Sequence, residues 1–137
     1  DEAVCVIDLD TVMPGLALYD FGDLIRGATS PVAEDEPDTS KVEMRLPMFE
    51  AIVEGYLETA ASFLTPLEID LLPFSAKLIS LETGIRFLTD YLEGDKYFRI
   101  HRDNHNLDRC KTQLALVKSI EDQEDKMLNF VKKWHRA

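Results

Sequence analysis

Apolar residues that recur every three or four positions are the feature that most restricts how this chain can fold. The pattern runs through residues 16–28, 45–64, 74–92 and 107–134. This spacing places apolar side chains on one side of an α-helix, whereas a half-buried strand would need strict alternation. The chain is therefore predicted to be mainly α-helical, with residues 107–134 forming one continuous helix.

Local signals predict where these helices begin and end. Thr65, Pro66 and Glu68 have the spacing of a capping box with proline in the first turn, so a helix should start there. Pro73 is expected to interrupt it, and Gly94 to stop the long helix that follows. The apolar residues of that long helix that are predicted to face inward are Leu78, Ile79, Leu81, Ile85, Leu88 and Leu92.

The β-branched run at residues 3–9 predicts one short strand, and two aspartates follow at its end. Asp8 and Asp10 are two positions apart, so in an extended strand both carboxylates would point the same way. Such a pair suits metal or phosphate chemistry, or it simply caps the turn before Pro14. A lone strand needs a partner, which we expect upstream of Asp1 or in a second copy of the chain, so that a homodimer could form through it.

Composition narrows the classes of function. The 137 residues suit one domain, and no apolar run approaches the length of a membrane span. With 15 Lys and Arg against 26 Asp and Glu, the net charge of -11 disfavours nucleic acid and anionic membranes as partners. The two cysteines make no disulfide framework, so a reducing, cytoplasmic location is expected.

Three short motifs resemble known catalytic signatures but lack their context. Residues 20–22 (DFG) and 101–103 (HRD) spell protein-kinase triplets in the wrong order. Residues 8–12 (DLDTV) fit the haloacid-dehalogenase nucleophile motif, yet the further strands of that fold are missing from the sequence. His101 and His105 have the i, i+4 spacing of zinc ligands, but they fall in a polar connection without a neighbouring glutamate base.

Several stretches together resemble the aminoglycoside phosphotransferase and choline kinase superfamily. The first are residues 6–10 (VIDLD), the turn at Pro14 and Gly15, and residues 19–26 (YDFGDLIR). Later stretches resemble more closely its N-acetylhexosamine 1-kinase branch, at residues 33–36, 82–92, 94–98 and 105–109. The resemblance implies the helical C-terminal subdomain of a protein-kinase-like fold, with one short N-terminal β-strand.

The resemblance also implies roles for individual residues. Asp8 corresponds to the aspartate that binds the Mg²⁺ bridging the ATP phosphates, and Asp10 would be a second metal contact. Arg86 and Tyr97 match positions that contact the sugar, where a guanidinium and a phenol suit hydroxyl and acetamido groups. Asp20 would have a structural role, holding the loop through hydrogen bonds.

The superfamily's nucleotide-binding lobe and catalytic loop have no counterpart in residues 1–137, so the chain is expected to be one subdomain of a larger kinase. No catalytic base is expected within it, and alone it should be inactive. The expected activity of the parent protein is ATP-dependent phosphorylation of an N-acetylhexosamine at its anomeric hydroxyl. Alternatives are an aminoglycoside, choline or homoserine acceptor, for which the acidic charge would suit a cation, or a non-catalytic helical interaction module.

Overall fold

The computed structural model describes residues 4–135, and side chains as far as residue 133. Within this part, the chain forms a 3₁₀ turn at Thr39–Lys41 and six α-helices. The helices are α1 (Ala17–Ala28), α2 (Leu46–Ala60), α3 (Pro66–Asp70), α4 (Leu72–Leu92), α5 (His105–Glu121) and α6 (Glu124–His135). The mainly helical class is confirmed. No helix in the described range is both long enough and apolar enough to cross a bilayer.

The long helix α4 organises the packing, because it makes the most extensive contacts, with α5 and with α1. The core draws side chains from most of the helices. Its fully buried members include Phe21 of α1, Phe49 of α2, Leu72 of α4, Ile120 of α5 and Met127 of α6. Apolar burial of this kind is the main favourable term in folding.

Glycine lets two helices approach α4 closely. A Cβ on Gly22 of α1 would lie 2.6 Å from both Cγ1 of Ile79 and the carbonyl oxygen of Ser75. On α4 itself, a Cβ on Gly84 would lie 3.1 Å from Cβ of Gln113. The contacts of α4 with α1 and α5 therefore depend on positions that carry no side chain.

The predicted inward face of α4 is largely wrong. Ile85 is 53% exposed and Leu92 is 74% exposed, and Leu78 and Leu81 also reach solvent, whereas Ile79 and Leu88 are half-buried. The buried residues of α4 are mostly small or polar: Leu72, Pro73, Ser75, Ala76, Ser80, Gly84, Phe87 and Asp90. Close helix approach requires small side chains at the contact, so the large apolar residues lie on the remaining surface.

The predicted strand at residues 3–9 is absent from residues 4–9, and Ala3 lies outside the described residues. Val6 and Ile7 are each 79% exposed, and Asp8 has a left-handed φ of 65° that interrupts an extended conformation. A strand is stable only when a second strand takes up its backbone hydrogen bonds. The described part of the chain supplies no such segment.

The predicted continuous helix over residues 107–134 is two helices, α5 and α6, separated at Asp122 and Gln123. The side-chain amide of Gln123 donates a hydrogen bond of 2.7 Å to the carbonyl oxygen of Met44. The backbone carbonyl of Gln123 accepts a hydrogen bond from the N–H of Lys126. The run of polar residues at 121–125 offers no apolar face that would hold a straight helix on the core. The side chain of Trp134 lies outside the described residues.

The sequence signals for helix ends predicted the structure more accurately than the apolar spacing did. The Thr65 hydroxyl accepts from the Glu68 N–H, and the Glu68 carboxylate accepts from the Thr65 N–H at 2.7 Å, so the capping box is confirmed. The long helix ends at Leu92, and Gly94 follows with a φ of 89°. The apolar pattern of residues 45–64 overestimates α2, which ends at Ala60.

Candidate functional site

Three aromatic rings and two arginines form a cluster at the C-terminal half of α4. The rings of Phe87 and Phe98 are 4.7 Å apart between centroids. The guanidinium carbon of Arg86 lies 5.5 Å from the Phe98 ring and 5.8 Å from the Tyr97 ring, and that of Arg109 lies 5.3 Å from the Phe87 ring. Cations are attracted to aromatic faces at these distances. The structure thus brings the predicted sugar-contact residues Arg86 and Tyr97 together.

An open cleft of about 390 Å³, here called the aromatic cleft, lies beside this cluster. Its lining residues are Arg86, Thr89, Asp90, Glu93, Tyr97 and Phe98. Tyr97 is 75% exposed, and the distance from Arg86 Nε to the Glu82 carboxylate is 3.7 Å in a solvent-exposed pair. Exposed pairs of this kind contribute little, so the guanidinium and the phenol are both available to a ligand.

Asp90 fixes the backbone that carries Tyr97. Its Oδ1 accepts from the N–H groups of Lys96 at 2.9 Å and Tyr97 at 2.7 Å, and its Oδ2 accepts from the N–H of Phe98 at 2.9 Å. The Asn106 amide donates to the same carboxylate at 2.9 Å. Burial acts to raise the pKa of Asp90, but these hydrogen bonds outweigh it and hold the pKa below its ordinary value.

Sequence reasoning did not identify Asp90, although one signal was available. An aspartate in the last turn of a helix lies at the negative end of the helix dipole, where an unpaired carboxylate is unfavourable. Its presence beside the turn at Gly94 indicates that nearby N–H groups satisfy it. Asn106 also donates to Asp95 at 2.8 Å, so the same amide joins α5 to both ends of this turn.

Asp8 and Asp10 do not line the aromatic cleft. Both are exposed, and within the described residues neither side chain makes a hydrogen bond or an ion pair. The same part of the chain holds no group of three or more His, Cys, Asp or Glu placed to bind a metal. Two free carboxylates nevertheless fit Mg²⁺, which commonly binds through one or two carboxylates, water and substrate phosphates. Metal binding at Asp8 and Asp10 stays a prediction.

Asp20 lies exposed in the first turn of α1, where a carboxylate complements the helix dipole. Its side chain accepts no hydrogen bond from the described residues, so its loop-holding role stays a prediction. Its neighbours in the DFG triplet, Phe21 and Gly22, are buried packing residues of the helix.

The histidine pair is part of the scaffold. The N–H of His101 donates to Nδ1 of His105 at 3.1 Å, so the proton of the neutral ring is on Nε2, which lies 3.0 Å from the Asp35 carboxylate. Both ring nitrogens of His105 are thus occupied by protein contacts. Burial acts to raise the pKa of Asp35, but its own N–H, His105 and Arg102 lower it overall. These contacts tie the loop after α1 to α5.

The residues of the aromatic cleft suit a polar ligand that carries hydroxyl or carbonyl groups and packs against an aromatic ring. Arg86 supplies donors in a fixed planar arrangement, and Tyr97 supplies a hydroxyl that both donates and accepts. The chain was compared with protein-family models, and no family model matches it.

Proposed function

We propose that this chain is the substrate-side portion of an ATP-dependent small-molecule kinase that phosphorylates an N-acetylhexosamine at its anomeric hydroxyl. The observation that carries the proposal is the juxtaposition of Arg86 and Tyr97 beside Phe98 in one open cleft. A sugar presents hydroxyl groups to polar side chains and C–H faces to aromatic rings. The proposal combines this geometry with the resemblance of residues 6–10 and 19–26 to the aminoglycoside phosphotransferase superfamily.

Each residue has a defined part in the proposed reaction. Arg86 donates hydrogen bonds to the acetamido carbonyl or a ring hydroxyl, and the Tyr97 hydroxyl binds a second hydroxyl. Asp8, with Asp10 beside it, would hold Mg²⁺. The ion would neutralise charge on the ATP phosphates. Asp90 orients Tyr97 through the backbone without touching the sugar. We also place the protein in the cytoplasm, where ATP is available and free cysteines such as Cys5 and Cys110 stay reduced.

The test of the reaction is a coupled assay of ADP formation on the full-length protein, with MgATP and a panel of acceptors. N-acetylglucosamine and N-acetylgalactosamine should be substrates, whereas an aminoglycoside, choline and homoserine should not. Asp8→Ala should reduce turnover by at least about a thousandfold while leaving the circular dichroism spectrum unchanged. Near wild-type turnover in that variant would refute the assignment of Asp8.

Sugar binding is tested separately from catalysis. Arg86→Gln and Tyr97→Phe should each raise the KM for the sugar by about tenfold, since each removes a hydrogen bond to it, with little change in the KM for ATP. Glu82→Gln is the matched control, because it removes the exposed partner of Arg86 outside the cleft. Equal effects of all three variants would contradict the proposed contacts.

One observation favours the second candidate, a non-catalytic helical interaction module. Five large apolar residues of α4 reach solvent along the same helix, namely Phe74, Leu78, Leu81, Ile85 and Leu92. Such exposure on a monomer is often functional when it is contiguous. A protein with no phosphotransferase activity on any acceptor of the panel would favour this candidate over the kinase.

A further inference from the structure

A second cleft adjoins the aromatic cleft and is rich in arginine. It has a volume of about 390 Å³ and lies among α1, α4 and the loop that leads into α5. Arg26, Arg86, Arg99 and Arg109 line it, together with His101. This surface is here called the arginine cleft.

The concentration of positive charge at this place is unexpected in a chain of net charge -11. The described residues contain six arginines, and four of them line the arginine cleft. Its lining includes two carboxylates, those of Asp23 and Glu34, so the cleft has an excess of positive charge. Low-dielectric walls that carry one sign of charge attract ligands of the opposite sign.

The carboxylates of Asp23 and Glu34 pair with only some of the four arginines. Asp23 accepts from Arg26 Nε at 2.8 Å, and Glu34 accepts from Arg26 Nη1 at 2.5 Å. Glu34 also lies 3.8 Å from Nε of Arg109, too far for a hydrogen bond. Nε of Arg109 is buried, and within the described residues it has no hydrogen-bond partner.

Arg99 and Arg86 have donors left over. Among the side chains described, no carboxylate pairs with Arg99, and Arg86 has only the exposed contact with Glu82. The backbone carbonyl of Arg99 accepts from Arg109 Nη1 at 3.3 Å, which holds the two residues close together. His101 is exposed at the same rim. The arginines with donors to spare therefore line one cleft from α4, the loop and α5.

We propose that the arginine cleft binds the phosphate group of a phosphate monoester. Guanidinium groups match the oxygens of phosphate geometrically, and several of them can share one dianion. The half-buried ring of Phe98 lines the same cleft and offers apolar surface to the organic part of the ligand, with the buried ring of Phe87 behind it. A sugar phosphate has both the phosphate group and the organic part that this cleft would bind, and it is the class of product that the proposed kinase releases. The choice of a sugar as the organic part rests on the proposed function, whereas the binding of phosphate does not.

The experiment is a titration of the ¹⁵N-labelled full-length protein at pH 7, followed by amide chemical shifts. The probes are inorganic phosphate, N-acetylglucosamine 1-phosphate and neutral N-acetylglucosamine, with sodium chloride at matched ionic strength as reference. Both phosphates should give saturable shifts that concentrate at Arg99, His101 and Arg109. The phosphate ester should bind more tightly than inorganic phosphate, because its sugar packs on the half-buried ring of Phe98.

Matched variants identify the donors. Arg99→Gln should weaken the binding of both phosphates by about fivefold or more, since it removes one charge-assisted contact. Lys111→Gln removes the same formal charge on α5 outside the cleft and should change binding less than about twofold. Arg86→Gln is a second variant with the same expectation as Arg99→Gln.

Three results would overturn the inference: no saturable shift with either phosphate, shifts reproduced by sodium chloride, or unchanged binding in both arginine variants. The proposed sugar site shares Arg86 and Phe98 with this one, but the separate ligands distinguish the failure of one site from the failure of the other. If the neutral sugar does not bind but inorganic phosphate does, the kinase proposal is weakened and the phosphate site stands. If the sugar binds and neither phosphate does, the phosphate site is refuted and the kinase proposal is unaffected.

Discussion

Gly22 shows how one residue sets the distance between two helices. It lies in the middle of α1, where glycine lowers helix stability relative to alanine. Its lack of a side chain admits Ile79 and the backbone of Ser75 to within 2.6 Å of where a Cβ would be. Backbone atoms cannot move aside as a flexible side chain can, so the position tolerates no other residue without a shift of the helices.

Gly22→Ala should therefore lower the free energy of unfolding by about 1–3 kcal/mol through overpacking, in spite of the better helix propensity of alanine. Gly55→Ala is the control, because Gly55 is exposed in α2 and a Cβ there would meet nothing within 4 Å. That change should raise the free energy of unfolding by about 0.5–1 kcal/mol. Urea denaturation measures both values, and a stabilising Gly22→Ala would contradict the described packing of α1 on α4.

At the residue scale, the sequence identified some members of the site and missed others. Arg86 and Tyr97 came from a resemblance, and the structure brings them together. Asp90 was missed because three of its four partners are backbone N–H groups, which the sequence does not single out, and its place in the last turn of α4 was the one available signal. The arginine cleft was missed because Arg26 and Arg109 are more than eighty positions apart, and only the packing of α1, α4 and α5 brings them together.

Helix α4 illustrates what periodicity determines at the scale of an element. The apolar spacing correctly predicts a helix and its end at Leu92, but not the side that faces the core. Two sides of α4 compete for burial, one with large apolar residues and one with Ser75, Ala76, Ser80 and Gly84. The side with small residues is the buried one, because it permits close backbone contact with α1 and α5. Hydrophobicity alone does not predict which side of the helix is buried.

A pair of substitutions on α4 distinguishes its two sides. Ile85→Lys changes an exposed position and should alter the free energy of unfolding by no more than about 0.5 kcal/mol. Ser80→Leu enlarges a fully buried position whose hydroxyl donates to the Ala76 carbonyl at 2.8 Å, and it should cost about 1–3 kcal/mol. Thermal or chemical denaturation measures both changes in stability. A larger loss of stability for Ile85→Lys than for Ser80→Leu would support the inward face that was predicted from the sequence.

The ends of elements divide into those encoded locally and those set by the fold. The capping box at Thr65 and the turn at Gly94 are local, and both were predicted. The break between α5 and α6 depends on the contact of Gln123 with the carbonyl of Met44, 79 positions away in the chain. The prediction of a strand at residues 3–9 was wrong for the same reason, since a strand needs a partner strand that the local sequence does not specify.

At the scale of the whole molecule, acid should destabilise the fold through carboxylates whose pKa is lowered on folding. The pKa values of Asp90 and Asp35 lie below the ordinary value of 3.8. Their contribution to stability is therefore present above about pH 4 and is lost as the pH falls through the folded-state pKa. Relief of the repulsion from the net charge of -11 acts in the opposite direction, so the effect is best measured as a difference between variants.

Asp90→Asn should lower the thermal midpoint at pH 7, because one charged acceptor of three backbone N–H groups is lost. The same variant should lose less stability than the wild type between pH 6 and about pH 3, since its residue 90 no longer titrates. Asp103→Asn, at an exposed position of the same loop region, is the control for the change in net charge. Parallel pH profiles for all three proteins would show that Asp90 contributes nothing to the acid dependence.

The three N–H groups that Asp90 holds have a consequence for protein engineering. Because residues 96 and 97 are held through their backbone N–H groups and Phe98 also packs on Phe87, the course of this loop depends little on the side chains at positions 96 and 97. A combinatorial library that varies positions 96, 97 and 99 while retaining Asp90 and Asn106 should therefore yield folded members at high frequency. Selection from such a library would change ligand preference without redesign of the scaffold.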